Sequence, residues 1–348
     1  MNHLPTGETP VPHYGRGQGT MSLVTGDVIL QAARKGGYAV GAFNANNLES
    51  VKAVLETCDK LDAPVILQVS QGAISYAGLH YATAMVKAGA EAVKVPVALH
   101  LDHGTSFEQN CQCLAAGFTS LMYDGSKEPY EKNVETTALI ARVAHAAGVP
   151  VEAELGLVPK IEDFDVSKDD LDRLRKGECE DIYSCLKPED QKRVDDWCTK
   201  PELAKDFHDQ TQCDSIAIAI GAVHGMEGQA ARLKLDLLQS IMDAVDIPFV
   251  LHAASGIRLE DVQKACSMGV CKVNVATRLS MELIRGTKER LAEKPNQKDF
   301  RKVFDLGMKY IAEAIEEYVT LFGAAGKAYT AGWAPGSMPD IDRSDSPE

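Results

Sequence analysis

The nine cysteines contain no CxxC pair, no apolar run reaches the ~20 residues that cross a bilayer, and there is no basic excess. Each absence excludes a class of protein. An odd number of scattered cysteines with no secretory segment argues against a disulfide framework and fits a reducing cytosol, so a cytoplasmic location is expected. Cys111 and Cys113, the closest pair, face different sides of a helix and read as ordinary thiols. Lys and Arg number 36 against 50 Asp and Glu, giving a net charge of −14, which offers no footprint for nucleic acid or an anionic membrane surface. A small-molecule role is expected. A phosphate on that molecule is not excluded, because a few local cations and backbone amides can hold one inside an acidic protein.

The first 21 residues are rich in Pro, Gly and Thr, with neither the apolar core of a signal peptide nor the Arg-rich pattern of a transit peptide. They are expected to form a flexible tail, as are residues 335–348. Between them, over 22–334, eight short apolar runs recur: "YAVGAFN", "PVILQVS", "VPVALHLD", "TSLMYDG", "PVEAELG", "SIAIAIG", "PFVLHAA" and "CKVNVAT". Their starts lie 23 to 33 residues apart except for one larger gap, and helix-type periodicity fills the spaces. The runs are apolar on both faces, as parallel strands covered by helices must be. Eight such units predict an α/β fold, a (β/α)8 TIM barrel. A doubly wound sheet is disfavoured, because no G-x-G-x-x-G follows the first strand. The larger gap, residues 160–212, is charged and helix-rich. It is expected to be an insertion after strand five, on the face where barrel active sites are built, and reads either as a lid or as a solvated excursion.

Barrel enzymes carry their chemistry at the C-terminal ends of strands. In order, those ends supply Asn44, Ser70, Asp102 with His103, Asp124, Glu154, His224 just after strand six, His252 in strand seven, and Asn274 with Thr277 in strand eight. Three of nine histidines thus reach one rim from strands three, six and seven. Each alone reads as a core residue. Together, with carboxylates at neighbouring strand ends, they match a zinc site with an open coordination position. His100 shares the strand face of Asp102 one layer deeper, which suits a supporting hydrogen bond better than ligation.

The ordered motifs "HLDHGTSFEQNCQCLAAGFTSLMYDGS", "VEAELG", "IAIGAVHG", "VLHAASGI" and "CKVNVAT" resemble the class II, zinc-dependent ketose-bisphosphate aldolases, the family of fructose- and tagatose-bisphosphate aldolases. The resemblance covers roughly residues 22–325, without the tails or the insertion. It implies reversible cleavage of a ketose 1,6-bisphosphate to dihydroxyacetone phosphate and glyceraldehyde 3-phosphate, a glycolytic reaction, in a homodimer or homotetramer. It also implies zinc ligands His103, His224 and His252, with Asp124 and Glu154 able to hold the ion in an alternative position. Asp102 becomes the acid/base at the C4 hydroxyl, and Glu162 exchanges the C3 proton. Asn44 and Ser70 match substrate contacts. Gly225, Ser255, Asn274 and Thr277 match the pocket for the C1 phosphate and a monovalent cation, Na+ or K+.

Physical chemistry is consistent with such roles. Cleavage leaves negative charge on the ketone oxygen, and a Lewis-acid metal there lowers the barrier by several kcal/mol without a Schiff base. The imine route needs a lysine at a strand end, whereas Lys272 is expected at the start of strand eight, on the wrong face of the barrel.

The chain departs from the family at four places. Ala253 in "HAAS" replaces a usual glycine and disfavours positive φ. Ala276 stands where fructose-specific members carry an acidic or amide residue, and tagatose-type members look more like this chain. Arg278 stands where an acidic residue is common. "VPKIED" lacks the paired glycines that usually precede Glu162, and Pro159 should stiffen that loop. Two alternatives stay open: a zinc barrel that binds a sugar phosphate without turning it over, and a metal-dependent hydrolase, against which the missing HxH pair after strand one argues.

Overall fold

A computed structural model describes residues 22–329, apart from 176, 177, 179, 180 and 227. The two expected tails fall outside the described residues. Eight strands, β1 (Val40–Asn44), β2 (Val65–Ser70), β3 (Val97–Asp102), β4 (Leu121–Tyr123), β5 (Val151–Leu155), β6 (Ser215–Ile218), β7 (Phe249–Leu251) and β8 (Val270–Val275), form one parallel sheet. Its hydrogen-bonded order is β3-β2-β1-β8-β7-β6-β5-β4. Bridges between His100 and Ser120 and between Gly104 and Tyr123 bring the two outer strands together, so the sheet curls into the expected (β/α)8 barrel. Nearly every strand residue is buried, the signature of a parallel sheet covered by helices.

The helices are α1 (Gly26–Gly36), α2 (Leu48–Lys60), α3 (Gln71–Ala77), α4 (Leu79–Glu91), α5 (Phe107–Ala116), α6 (Tyr130–Ala146), α7 (Lys168–Arg175), α8 (Pro188–Trp197), α9 (Pro201–Thr211), α10 (Leu235–Ala244), α11 (Leu259–Met268), α12 (Thr277–Glu293) and α13 (Arg301–Leu321). Local sequence starts several of them sharply. Asn47 and Ser50 form a reciprocal capping box on α2, while Ser70 and Ser106 cap α3 and α5 by accepting from Ala73 and Gln109 amides. Pro188 and Pro201 open α8 and α9, where a missing N–H costs nothing. None of the helices among the described residues is long and apolar enough to cross a membrane, and no disulfide joins two of the eight described cysteines.

The stretch after β5 divides into two parts. Residues 160–200, with α7, α8 and two 3-10 turns, leave the barrel, but α9 packs between α6 and α10 as the barrel helix of that unit. The excursion returns tightly. Leu157 N donates to Trp197 O at 2.9 Å, and buried Thr199 bonds Leu155 O through its hydroxyl while accepting from Ala219 N at 2.8 Å. Further out, Ile182 N donates to Ala230 O at 3.0 Å and Tyr183 Oη to Gly221 O at 3.3 Å. The excursion therefore braces the loops that follow both β5 and β6.

Candidate active site

The strand ends deliver the titratable groups to one rim. β3 ends on Asp102, and His103 follows in the left-handed region at φ 49°, with its amide on Met122 Sδ at 3.4 Å and its carbonyl accepting from Gln71 Nε2 at 2.8 Å. His252 lies one residue past β7 rather than within it, and His224 sits six residues past β6. A parallel bridge to Lys160 fixes the backbone of His224: its amide donates to Pro159 O at 2.8 Å, and its carbonyl accepts from Ile161 N at 3.0 Å.

Two overlapping donor sets result, His103–His224–His252 and His103–Asp124–Glu154, each with donor atoms within 4.8 Å of one another. His252 Nδ1 is 3.0 Å from His103 Nε2, and His103 Nδ1 donates to Asp124 Oδ2 at 2.8 Å. His224 Nε2 and Glu154 Oε2 are buried without a hydrogen-bond partner among the described residues. Orphaned polar atoms at the meeting point of three imidazoles and two carboxylates are what a borderline-soft divalent cation would satisfy, so the donor set fits a metal.

The electrostatics agree with that reading. Burial alone would lower His103, but the carboxylates of Asp102, Asp124 and Glu154 raise it to about 10. Asp124 is held well below the usual carboxylate range by His103 and by Ser126, although burial opposes this. Burial, reinforced by Asp124, pushes Glu154 up to about 8. His224 and His252 are lowered well below the usual imidazole range, first by burial and then by positive charge on His103. Strongly perturbed groups in a cleft mark a functional site.

A cavity of about 1000 Å³ opens beside this cluster. Asp102, His103, Asp124, Glu154, Glu162 and His224 line it, as do the predicted contacts Ser70, Gly225, Ser255, Asn274 and Thr277. Two predicted residues lie further back. His252 is fully buried, and Asn44 is tucked behind Asp102, whose Oδ2 it faces at 3.5 Å while Asn274 Nδ2 donates to Oδ1 at 3.3 Å. Gln68, unmarked in the sequence reading, orients Asn44 by donating to its Oδ1 at 2.7 Å. Thr277 proves to be the first residue of α12 rather than part of β8, so the cavity meets the N-terminus of a 17-residue helix beside Ser255, a natural seat for a phosphate. Glu162 lies over Gly225, where a Cβ would come within 3.6 Å and 3.7 Å of its carboxylate oxygens.

Three of the departures have a definite place in the structure. Ala253 adopts φ 59°, ψ 27°, so the left-handed turn after β7 persists without glycine. Ala276 lines the cavity, whereas Arg278 turns to the α12–α13 side, its Nε on Glu282 at 2.7 Å and an Nη 3.7 Å from Glu317. Lys272 corrects the sequence reading: it is the third residue of β8 and points into the barrel interior, 1% exposed, with Nζ 2.8 Å from Glu152 Oε2. It does not line the cavity, whose lysines, Lys127 and Lys160, come from the segments after β4 and β5 rather than from a strand.

A family model described as class-II fructose-bisphosphate aldolase matches residues 24–327. A fructose-bisphosphate aldolase of Thermus caldophilus is 38% identical over 329 residues, covering 88% of this chain and all of that protein. One of Geobacillus stearothermophilus is 39% identical over 311 residues, with 88% of this chain and 99% of that protein covered. Among solved structures, the YdjI aldolase from Escherichia coli K12 superposes with a TM-score of 0.71 at 28% identity, over 88% of this chain and 99% of that one.

Proposed function

Since the chain belongs to the class-II fructose-bisphosphate aldolase family and is therefore a lyase acting on sugar phosphates, we propose that it reversibly cleaves a ketose 1,6-bisphosphate, fructose or tagatose, to dihydroxyacetone phosphate and glyceraldehyde 3-phosphate. The observation that carries this reading is the convergence of three imidazoles beside Asp102, two of them at the wall of one cavity and the third directly behind. His103, His224 and His252 would hold Zn2+, which supplies Lewis acidity toward the substrate's ketone oxygen. Asp124 and Glu154, with His103, would hold the ion in an alternative position.

Asp102 takes the proton of the C4 hydroxyl as the C3–C4 bond breaks and returns it in the condensation direction. The amides of Asn274 and Asn44 face its two oxygens, so the carboxylate is oriented before substrate arrives. Glu162, which lines the same cavity, exchanges the C3 proton of dihydroxyacetone phosphate. Ser70, the cap of α3, offers a hydroxyl to the substrate. Ser255, Gly225, Asn274 and Thr277 hold the C1 phosphate at the start of α12, with a monovalent cation, Na+ or K+, beside it. The proposal extends to a homodimer or homotetramer in the cytoplasm, and the net charge of −14 supports the exclusion of nucleic acid and anionic membrane surfaces.

Chelation tests the mechanism. Cleavage of fructose and tagatose 1,6-bisphosphate should vanish on removal of zinc and return on its addition. Activity in the chelated enzyme, or a product trapped covalently by borohydride, would overturn it.

A further inference from the structure

Beneath the three imidazoles, the barrel interior holds ionisable side chains that the proposed mechanism does not use. Glu152 on β5, Lys272 on β8 and His100 on β3 are each at most 2% exposed. Glu152 Oε2 accepts from Lys272 Nζ at 2.8 Å, and its Oε1 accepts from His252 Nε2 at 2.9 Å. Lys272 Nζ also reaches His100 Nε2 at 3.3 Å, and His100 Nδ1 meets Ser120 Oγ at 2.8 Å. A single chain of contacts therefore runs from Ser120 through His100, Lys272 and Glu152 to His252.

The direction of each bond follows from what the groups can donate. An ammonium has donors only, so Lys272 requires a lone pair on His100 Nε2 and leaves the proton of that ring on Nδ1, facing Ser120. A carboxylate has acceptors only, so Glu152 requires the proton of His252 on Nε2. The other nitrogen of His252, Nδ1, is then left with its lone pair aimed at the cluster, 3.0 Å from His103 Nε2. A buried ion pair is a poor device for stability, since an apolar pair of the same volume often does as well. Its use here is directional.

We propose that Glu152, held by Lys272, is a positioning residue that fixes His252 in the tautomer presenting Nδ1 to the metal. This rests on the reading of His252 as a ligand. Removing such a carboxylate partner typically lowers metal affinity about 10- to 100-fold.

The test uses substitutions that count acceptors. In Glu152→Gln, one amide oxygen faces two donors, His252 and Lys272; when it serves Lys272, its NH2 meets His252 and favours the wrong tautomer. Removing the second donor in Glu152→Gln/Lys272→Met frees that oxygen for His252. Zinc affinity, measured by chelator competition on the full chain, should fall about 10- to 100-fold in the single variant and recover most of that loss in the double variant. The d–d spectrum of the Co2+ form should change and recover in parallel. Equal affinity in wild type and Glu152→Gln, or a folded double variant no tighter than the single one, would overturn the proposal. A wild type that binds no zinc would instead overturn the ligand reading. Should either variant fail to fold, long-range 15N NMR of the zinc-loaded wild type decides the matter: zinc on Nδ1 of His252 supports the proposal, and zinc on Nε2 overturns it.

Discussion

His252 Nδ1 faces His103 Nε2 at 3.0 Å, and both rings are tied on their far sides, His252 to Glu152 and His103 to Asp124. Two lone pairs cannot face each other at that distance without positive charge between them. In the metal-free protein that charge is a proton, and a bound metal ion would take its place.

This relationship predicts a pH dependence for metal binding. His103 is raised from its usual 6.5 to about 10. In the metal-free protein its protonated form therefore contributes stability that is fully present below pH 6.5 and lost as pH rises through about 10. Zinc must displace that proton at any pH below about 10, so its apparent affinity should rise about tenfold per pH unit between about pH 6 and about pH 9. Competition against a chelator of known protonation behaviour measures this slope. A flat profile would contradict the assignment of the proton to His103.

Ala253 carries backbone strain that glycine would relieve. A non-glycine residue in the left-handed region costs about 1–2 kcal/mol, and glycine loses about 0.5–1 kcal/mol of that advantage to unfolded-chain entropy. Ala253→Gly should therefore stabilise the fold by about 1 kcal/mol in denaturant unfolding, with zinc content unchanged. A loss of stability would show that the methyl group makes contacts outweighing the strain at φ 59°.

Thr199 ties the excursion to the barrel through Leu155 O and Ala219 N, 1% exposed. Thr199→Val keeps the shape but orphans two buried backbone groups, so it should destabilise by about 1–3 kcal/mol. Exchange of the C3 proton of dihydroxyacetone phosphate should slow as well, because the same ties brace the loops bearing Glu162 and His224. Wild-type stability and exchange would show the excursion to be an appendage.

Much of this was readable from the residues, for identifiable reasons. Strands buried on both faces read as continuous apolar runs, which is why all eight emerged, and three histidines at their ends stood out against those runs. Glu152 and Lys272 did not stand out, although a signal existed: each lies two positions before a site residue, Glu154 and Asn274, and a strand's period of two puts both pairs on the inner face. What the strand pattern withholds is depth: Lys272 is the third residue of β8 and lies inside the barrel beneath the rim, rather than at the strand's start. The barrel helix α9 was merged with the excursion because its charged outer face resembles the segment before it. The destination of Arg278 depended on Glu282 and Glu317, and Glu317 belongs to a separate helix that local pattern cannot bring near.

The most direct test is the turnover of Asp102→Ala at full zinc occupancy. The account predicts wild-type zinc stoichiometry with cleavage of the ketose bisphosphate slowed about 10²- to 10⁴-fold, because the ligands remain while the base is gone. A zinc-loaded Asp102→Ala enzyme that cleaves at the wild-type rate would contradict it.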